Sequence, residues 1–128
     1  MAKQNQNFSI RKRAKSFRYA LEGLKVLVSE EHNSRIHFVV SLLAISAAFY
    51  FKISGLEWVA LILCIGFVFA LEIINSAIEN LADFVEPNRH EAIKKIKDLA
   101  AASVLVGSIT TASVGLIVFI PKILNALS

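Results

Sequence analysis

The sequence predicts an all-α integral membrane protein, in which an amino-terminal amphipathic surface helix precedes three transmembrane helices. Hydrophobic residues make up 55% of the 128-residue chain, and its mean hydropathy is +0.59. An ordinary soluble domain is about 45–50% apolar. Here the apolar residues are also grouped into long runs, which is typical of membrane spans. The length corresponds to a single membrane domain, residues 1–128.

The surface helix is predicted over residues 9–30, after a polar segment, residues 1–8, that we expect to be disordered. Ser9 is a suitable N-cap for this helix. One helix face carries Phe17, Leu21, Leu24 and Val28, and another carries Arg11, Lys15, Arg18 and Lys25. A helix with one apolar and one basic face can lie in the interface of an anionic membrane. The alternative is a solvated helix packed on the rest of the protein.

The first transmembrane helix is predicted over residues 36–53 and the second over residues 56–78. The first contains the run FVVSLLAISAAFYF, which with its flanks reaches about 18 residues, just enough to cross a bilayer. The second helix is expected to continue outside the membrane to about Val85. Pro87 then ends it, because proline disfavours helix in the residue before it.

The third transmembrane helix is predicted over residues 99–120, and Pro121 is expected to end it. Small residues recur within it every four positions, at Ser103, Gly107, Thr111 and Gly115. Such a stripe lets helix backbones approach closely, so we interpret it as a packing seam and not as a binding site.

The distribution of charge predicts the orientation. Lys and Arg number eight before the first span and four between the second and third, whereas Lys52 and Lys122 lie on the other side. Because basic residues stay inside, the sequence predicts a multi-pass protein of the plasma membrane with a cytoplasmic amino terminus. Its basic residues then face lipid headgroups, and no nucleic-acid partner is expected. The first 37 residues contain no segment typical of a cleavable signal peptide.

A stripe of polar side chains runs along the second span. Glu72, Asn75, Glu79 and Asp83 are separated by three, four and four residues, so they fall on one face of a helix. Placing an acidic side chain at membrane depth costs about 2.5–3.5 kcal/mol on insertion scales. The stripe therefore predicts a functional site that runs from within the membrane to its cytoplasmic surface. The alternative is an ion-pair network that serves folding.

The residue types of the stripe are suited to acid–base and metal chemistry. A glutamate held partly away from water, as Glu72 would be, is a good proton acceptor near neutral pH. Glu79 and the acidic pair Glu30 and Glu31 are suitable ligands for a hard divalent cation such as Mg²⁺. Lys97 would add a cation for phosphate groups.

The sequence lacks the motifs of several other kinds of site. The chain contains no GxxxxGK[ST] or GxGxxG nucleotide motif and no zinc-binding HExxH. Its single cysteine, Cys64, allows no internal disulfide. The histidines share no metal-ligand spacing, and we expect them to be interfacial. Residue spacing alone therefore predicts an acidic site at the cytoplasmic interface, which would serve proton translocation as well as catalysis.

The segment ExxNSAIExxxD, from Glu72 to Asp83, and the later IKD at residues 96–98 resemble the small prokaryotic diacylglycerol kinase family. They are most similar to its Gram-positive branch, which includes undecaprenol kinases. The resemblance runs from about Arg11 to Lys122. It implies a homotrimer with active sites shared between subunits, and transfer of the γ-phosphoryl group of Mg-ATP to a lipid alcohol.

The resemblance also implies a role for each matching residue. Glu72 is the expected general base and Asn75 its neighbour in the active site, while Asp83 closes the motif. Glu31 and Glu79 are expected to hold the Mg²⁺ that accompanies ATP. The expected nucleotide contacts are Lys12, Tyr19, Glu31, Glu79, Asn88, Arg89, His90, Lys97 and Asp98. Lys12 stands where some family members have arginine, a change that keeps the charge but loses bidentate binding of phosphate.

The expected function is therefore phosphorylation of undecaprenol by ATP, with diacylglycerol as the alternative acceptor. A second class of function is a small proton- or cation-coupled transporter subunit, in which Glu72 and Glu79 act as a relay. Between Leu56 and Leu71, however, Glu57 is the only Asp, Glu, His, Lys or Arg residue, which argues against a relay across the membrane. A third class is a non-catalytic membrane scaffold, which predicts that the acidic residues are replaceable.

Overall fold

The computed structural model describes residues 9–128, and the disorder expected for residues 1–8 lies outside this range. The described chain forms four helices in order, which confirms the all-α prediction. They are α1 (Ile10–Glu30), α2 (His32–Tyr50), α3 (Gly55–Val85) and α4 (Glu91–Leu127). The principal packing is between α3 and α4, which form an antiparallel hairpin, while α1 and α2 contact α3 less extensively.

Two helices of the described chain, α3 and α4, are long and apolar enough to cross a membrane. At about 1.5 Å per residue they extend about 46 and 55 Å, well beyond a hydrocarbon core of about 30 Å. Helix α2 has 19 residues, and its first turn is polar. It ends at Tyr50, before the predicted limit of residue 53. A third crossing by α2 therefore stays a prediction.

Helix α1 occupies the predicted range, but its contact with the other helices differs from the predicted apolar face. Ser9 precedes it without a side-chain capping bond. Leu27, which is outside the predicted apolar stripe, is the buried residue of this helix. Phe17 and Leu21 of that stripe stay exposed. The stripe is therefore available to an environment outside the chain, which suits a helix lying on a membrane.

The end of the molecule that carries the α2–α3 turn is the best packed, and we call it the turn end. Its buried core contains Ala48, Ile53, Leu61 and Val118. Ser54 caps α3 reciprocally: its hydroxyl accepts from the backbone N–H of Glu57, and the Glu57 carboxylate accepts from the backbone N–H of Ser54. A capping box of this kind satisfies two N–H groups that a helix start leaves free.

The prediction that Pro121 ends the last helix is wrong, because α4 continues through it to Leu127. Proline removes one backbone hydrogen bond but does not forbid helix beyond it, and transmembrane helices tolerate it where neighbouring groups compensate. Here Lys122, the next residue, places its ammonium 3.0 Å from the Glu57 carboxylate. This ion pair holds the continuing turn of α4 against the start of α3.

Candidate active site

The predicted polar stripe lies on one uninterrupted helix, α3, and the exposure of its side chains increases along it. Glu72 is 2% exposed, Asn75 and Glu79 are half-buried, and Asp83 is exposed. The Asn75 amide donates a 3.4 Å hydrogen bond to Glu79 Oε1, as expected for residues one helical turn apart. The stripe thus leads from the interior of the helix bundle to its surface.

A break between α1 and α2 brings Glu31 to this stripe. Glu31 alone separates the two helices and has an extended backbone, with φ −95° and ψ 113°. Ser76, on the turn of α3 after Glu72, donates a 3.0 Å hydrogen bond to Glu31 Oε1. We call the end of the molecule that contains this break the hinge end.

Arg35 fixes the geometry of the break. Its Nε donates a 2.8 Å hydrogen bond to the carbonyl of Val28, and its guanidinium also donates to the carbonyl of Ser29. Carbonyl groups in the last turn of a helix have no partner within the helix, so Arg35 acts as a side-chain cap of α1. Its guanidinium is therefore engaged by backbone, and not by the acidic stripe.

His37 of α2 makes a contact that the sequence does not reveal. Its Nε2 lies 3.1 Å from Glu72 Oε1, within ion-pair distance. The contact lacks the alignment of a hydrogen bond, and Oε1 has no hydrogen-bond partner among the described residues. The sequence contained one signal for this contact: His37 is an ionisable residue next to an apolar run, and such a residue in a membrane segment indicates function.

Glu72 and its neighbours line a cavity of about 280 Å³, which we call the polar cavity. Helix α2 contributes Asn33 and His37, and α3 contributes Glu72, Asn75 and Glu79. Helix α4 closes it with the uncharged residues Ala101, Val104, Leu105 and Ser108. Two buried oxygens in this group, Glu72 Oε1 and Asn75 Oδ1, have no hydrogen-bond partner among the described residues. Buried polar atoms are nearly always satisfied, so Asn75 Oδ1 favours a site that receives a polar ligand, and Glu72 Oε1 requires a hydrogen-bond donor.

The acidic residues at the hinge end are suited to a magnesium ion that also binds a phosphate. Glu31 and Glu79 both lie within electrostatic range of Glu72. Among the described residues no three His, Cys, Asp or Glu side chains could hold a metal by themselves. Mg²⁺ is commonly bound by one or two carboxylates, with waters and substrate phosphates completing its shell. The residues present fit that arrangement.

A second cavity, of about 440 Å³, lies at the connection between α3 and α4, and we call it the loop cavity. Among its lining residues are the predicted nucleotide contacts Asn88, Arg89, His90, Lys97 and Asp98, together with Asp83. Its side chains are largely paired with one another. Lys97 Nζ lies 3.0 and 3.1 Å from the two oxygens of Asp83, and Lys94 Nζ lies 2.5 Å from Asp98.

Two of these residues have local structural roles as well. The hydrogen bond from Lys97 to Asp83 raises the pKa of the Lys97 ammonium above its ordinary value, so this group is positively charged throughout the physiological range. His90 caps α4, because its Nδ1 accepts a 3.2 Å hydrogen bond from the backbone N–H of Ala92.

Lys12 and Tyr19 lie apart from both cavities. Both are exposed on α1, and the Arg18 guanidinium lies 5.5 Å from the centre of the Tyr19 ring. Within one chain the structure therefore brings together Glu31, Glu72, Asn75 and Glu79, gathers the loop residues separately, and leaves Lys12 and Tyr19 outside both groups.

A third cavity, of about 520 Å³, lies between α2, α3 and α4 beside the polar cavity, and we call it the apolar cavity. Most of its lining consists of apolar or small residues, such as Val40, Ile65 and Phe119. The Thr111 hydroxyl in its wall already donates to the backbone carbonyl of Cys64, at 3.4 Å. Such a cavity suits a hydrocarbon chain.

Comparison with known proteins identifies the family. The family model described as prokaryotic diacylglycerol kinase matches residues 18–119. Undecaprenol kinase of Bacillus subtilis is 33% identical over 109 residues, which cover 85% of this chain and 89% of the relative. Diacylglycerol kinase of Helicobacter pylori is 36% identical over 110 residues, covering 80% of this chain and 86% of the relative.

Diacylglycerol kinase of Synechocystis is 33% identical over 111 residues, covering 86% of this chain but 63% of its own length. These matches confirm the prediction of a lipid kinase that the Glu72–Asp83 motif supported. The chain belongs to the prokaryotic diacylglycerol kinase family.

Proposed function

We propose that the protein transfers the γ-phosphoryl group of ATP to the hydroxyl of undecaprenol, giving undecaprenyl phosphate and ADP. The observation that carries this proposal is the position of Glu72. It is a buried carboxylate in the wall of a polar cavity, with an apolar cavity alongside. A lipid alcohol needs both environments, one for its hydrocarbon chain and one for its reacting oxygen.

In the proposed reaction, the hydroxyl oxygen of the lipid attacks the γ-phosphorus. The bond from that phosphorus to the bridging oxygen of ADP breaks, and the proton of the hydroxyl passes to the carboxylate of Glu72. Asn75 lies one turn along α3 and is hydrogen-bonded to Glu79, so it orients the acidic group around the reacting atoms. Positioning and electrostatic stabilisation provide most of the catalysis in phosphoryl transfer.

Glu31 and Glu79 would hold Mg²⁺ together with the phosphates of ATP. The ion would supply positive charge where negative charge develops on the transferred group. Lys97 and Arg89 of the loop cavity supply further positive charge for phosphate, and Asn88, His90 and Asp98 complete the proposed nucleotide contacts with Lys12 and Tyr19 of α1. Asp83 holds Lys97 in place through their ion pair.

Two considerations favour undecaprenol over diacylglycerol as the acceptor. The Bacillus undecaprenol kinase is matched over most of both chains. In addition, the lining of the apolar cavity is mostly apolar or small, and the Thr111 hydroxyl in its wall is already bonded. A prenol carries its hydroxyl as its only polar group, whereas diacylglycerol also brings two ester groups. Diacylglycerol is the alternative, because the other relatives named above are diacylglycerol kinases.

We further propose that α2 crosses the membrane as a third span and that three subunits assemble in the plasma membrane, with the amino terminus in the cytoplasm. Large apolar side chains on the spans are exposed in the single chain, among them Leu43, Leu63 and Ile117. Lipid and neighbouring subunits would cover them. Assembly would also bring the loop cavity of one subunit toward the hinge end of another, as shared active sites require.

The test is phosphoryl transfer by the purified protein in mixed micelles, with Mg-ATP and either undecaprenol or diacylglycerol as the acceptor. The informative variant is Glu72→Gln, which keeps the shape of the side chain but removes the base. Loss of a general base lowers kcat by about 10²–10⁴-fold. Glu91→Gln, an exposed acid in the first turn of α4, is the matched control and should leave kcat unchanged.

Preferential phosphorylation of undecaprenol would support the proposal. Preference for diacylglycerol would overturn the proposed acceptor and leave the chemistry in place. A folded Glu72→Gln variant with full activity would overturn the role of Glu72. If the folded wild-type protein phosphorylated neither lipid, the kinase function itself would be rejected, and ion flux in liposomes would be measured next.

A further inference from the structure

His37 and Glu72 form a contact between α2 and α3 that the mechanism above does not use. The two atoms concerned, His37 Nε2 and Glu72 Oε1, lie 3.1 Å apart. The Glu72 side chain is 3% exposed and that of His37 is 24% exposed. Because Oε1 accepts no hydrogen bond from the described residues, His37 is placed to be its partner after a small rotation of the imidazole ring.

His37 also lies where two cavities meet. Of the described residues, two line both the apolar cavity and the polar cavity: His37 from α2 and Ser108 from α4. A lipid whose hydrocarbon chain lies in the apolar cavity must extend its hydroxyl between these side chains to reach Glu72. His37 therefore faces the carboxylate and the route of the acceptor at the same time.

We propose that His37 is a positioning residue for the phosphoryl acceptor: its Nε2–H holds Oε1 of Glu72, so that the other carboxylate oxygen faces the incoming hydroxyl. This rests on the proposed kinase function. Hydrogen bonds in active sites are often poorly aligned before substrate binds and tighten in the complex. The unaligned contact between His37 and Glu72 is therefore compatible with this positioning role.

The charges around Glu72 explain why its carboxylate needs a hydrogen-bond donor. Glu72 shares its neighbourhood with the carboxylates of Glu31, before α2, and Glu79, on α3. The residues by which α4 lines the polar cavity are uncharged. His37 places a nitrogen 3.1 Å from the base, among negative neighbours that would otherwise repel the carboxylate from its position.

Two substitutions at His37 separate positioning from packing. His37→Gln keeps an N–H donor at about the distance of Nε2 from the backbone, whereas His37→Leu keeps an apolar volume and removes the donor. A misplacement of about 1 Å in an active site can cost about 100-fold in rate. We expect His37→Leu to lower kcat by about 10- to 100-fold and to leave the KM for Mg-ATP unchanged. His37→Gln should recover most of the lost rate.

The wild-type protein, both variants and His32→Leu would be assayed with the lipid that the wild type phosphorylates. His32→Leu removes an exposed histidine from the same helix and should behave as wild type. Thermal unfolding of each variant in micelles reports folding separately. A second readout is the ¹⁵N signal of the His37 ring, which should shift in Glu72→Gln but stay unchanged in Glu91→Gln.

The inference is supported if the leucine variant alone loses kcat while remaining folded, and if the ring signal responds to Glu72→Gln. It is overturned if folded His37→Leu keeps the wild-type kcat, or if the glutamine variant is as impaired as the leucine variant. Where His37→Leu does not fold, an unchanged ring signal in Glu72→Gln overturns it. If the wild-type protein phosphorylated neither lipid, the proposed kinase function would be rejected instead.

Discussion

At the residue scale, Glu72 explains why the acidic stripe was visible in the sequence. A carboxylate at membrane depth costs about 2.5–3.5 kcal/mol, so a chain that contains one in an apolar run is expected to use it. The structure places this side chain among the least exposed in the protein, at 2%. Asn75 and Glu79, one and two turns along α3, are half-buried, and Asp83, three turns along, is exposed.

Contacts between distant residues were not predictable in the same way. The hydrogen bond from Ser76 to Glu31 joins residues 45 positions apart, and the contact between His37 and Glu72 joins α2 to α3. The first depends on the break between α1 and α2 and the second on the packing of α2 against α3, and no periodic pattern encodes either. The sequence predicted that the acidic residues share one helix face, but it assigned the histidine no partner.

The ion pair between Lys97 and Asp83 makes a prediction about titration. Asp83 raises the pKa of Lys97 above the ordinary value of 10.5. The pair therefore makes its full contribution to the free energy of unfolding at pH values below 10.5. The contribution is lost as the pH rises through the higher folded pKa. Asp83→Asn should therefore shift the titration midpoint of Lys97 downward, which NMR of isotopically methylated lysines measures.

Asp98→Asn is the control for this measurement. It removes a carboxylate from the same cavity, but one that pairs with Lys94. An unchanged Lys97 midpoint in Asp98→Asn and a lower one in Asp83→Asn would assign the shift to Asp83. Equal shifts in both variants would contradict that assignment.

At the scale of helices, boundaries governed by local chemistry were predicted more accurately than those that depend on tertiary contacts. Helix α3 ends at Val85, as the proline two residues later indicated. Helix α4 passes through Pro121, and the next residue, Lys122, is paired with Glu57 on another helix. The small-residue stripe on α4 is a packing seam in part: Gly107 is buried against α3, whereas Gly115 lines the apolar cavity.

The turn between α2 and α3 contains a left-handed residue that is not glycine, Lys52, with φ 49°. The backbone N–H groups of Lys52 and Ile53 bond to the carbonyls of Phe49 and Ala48, which is the Schellman motif that usually has glycine at this position. Left-handed backbone costs a side-chain-bearing residue about 1–2 kcal/mol. Lys52→Gly should therefore stabilise the protein by about 1 kcal/mol.

Thermal unfolding in detergent micelles would measure this gain as a higher midpoint. Lys52→Ala is the matched control, because it removes the charge and the long side chain but keeps the Cβ atom that causes the strain. If alanine raised the midpoint as much as glycine, the stabilisation would come from loss of the lysine side chain and not from the backbone.

At the scale of the whole molecule, the two ends are built differently. The turn end combines a buried apolar core, a capping box and the pair of Glu57 with Lys122. The hinge end contains the polar cavity and the loop cavity, and polar contacts such as those of Ser76 with Glu31 and Lys97 with Asp83 join its segments. The buried apolar core therefore lies at one end of the bundle and the polar cavities lie at the other, while the apolar cavity extends from His37 toward Leu61 and Phe119 of the turn end. Composition and hydrophobic runs predicted the membrane class, but not this division.

The contrast between buried Glu72 and the exposed charges of the loop cavity has a consequence for ionic strength. Raising the ionic strength from its physiological value to 1 M shortens the Debye length from about 8 Å to about 3 Å, and this screening acts mainly on exposed charges. Lys94, Asp83 and Asp98 are more than 60% exposed in their side chains, whereas Glu72 is 3% exposed.

Because Arg89 and Lys97 of the loop cavity would bind the phosphates, added potassium chloride should raise the KM for Mg-ATP and change kcat little. Steady-state kinetics across a range of ionic strengths would measure both constants in one experiment, with the lipid kept saturating. A fall in kcat equal to the rise in KM would show instead that solvent ions reach the base. The expected result is an enzyme whose binding of nucleotide depends on the salt concentration of the surrounding solution, and whose chemical step does not.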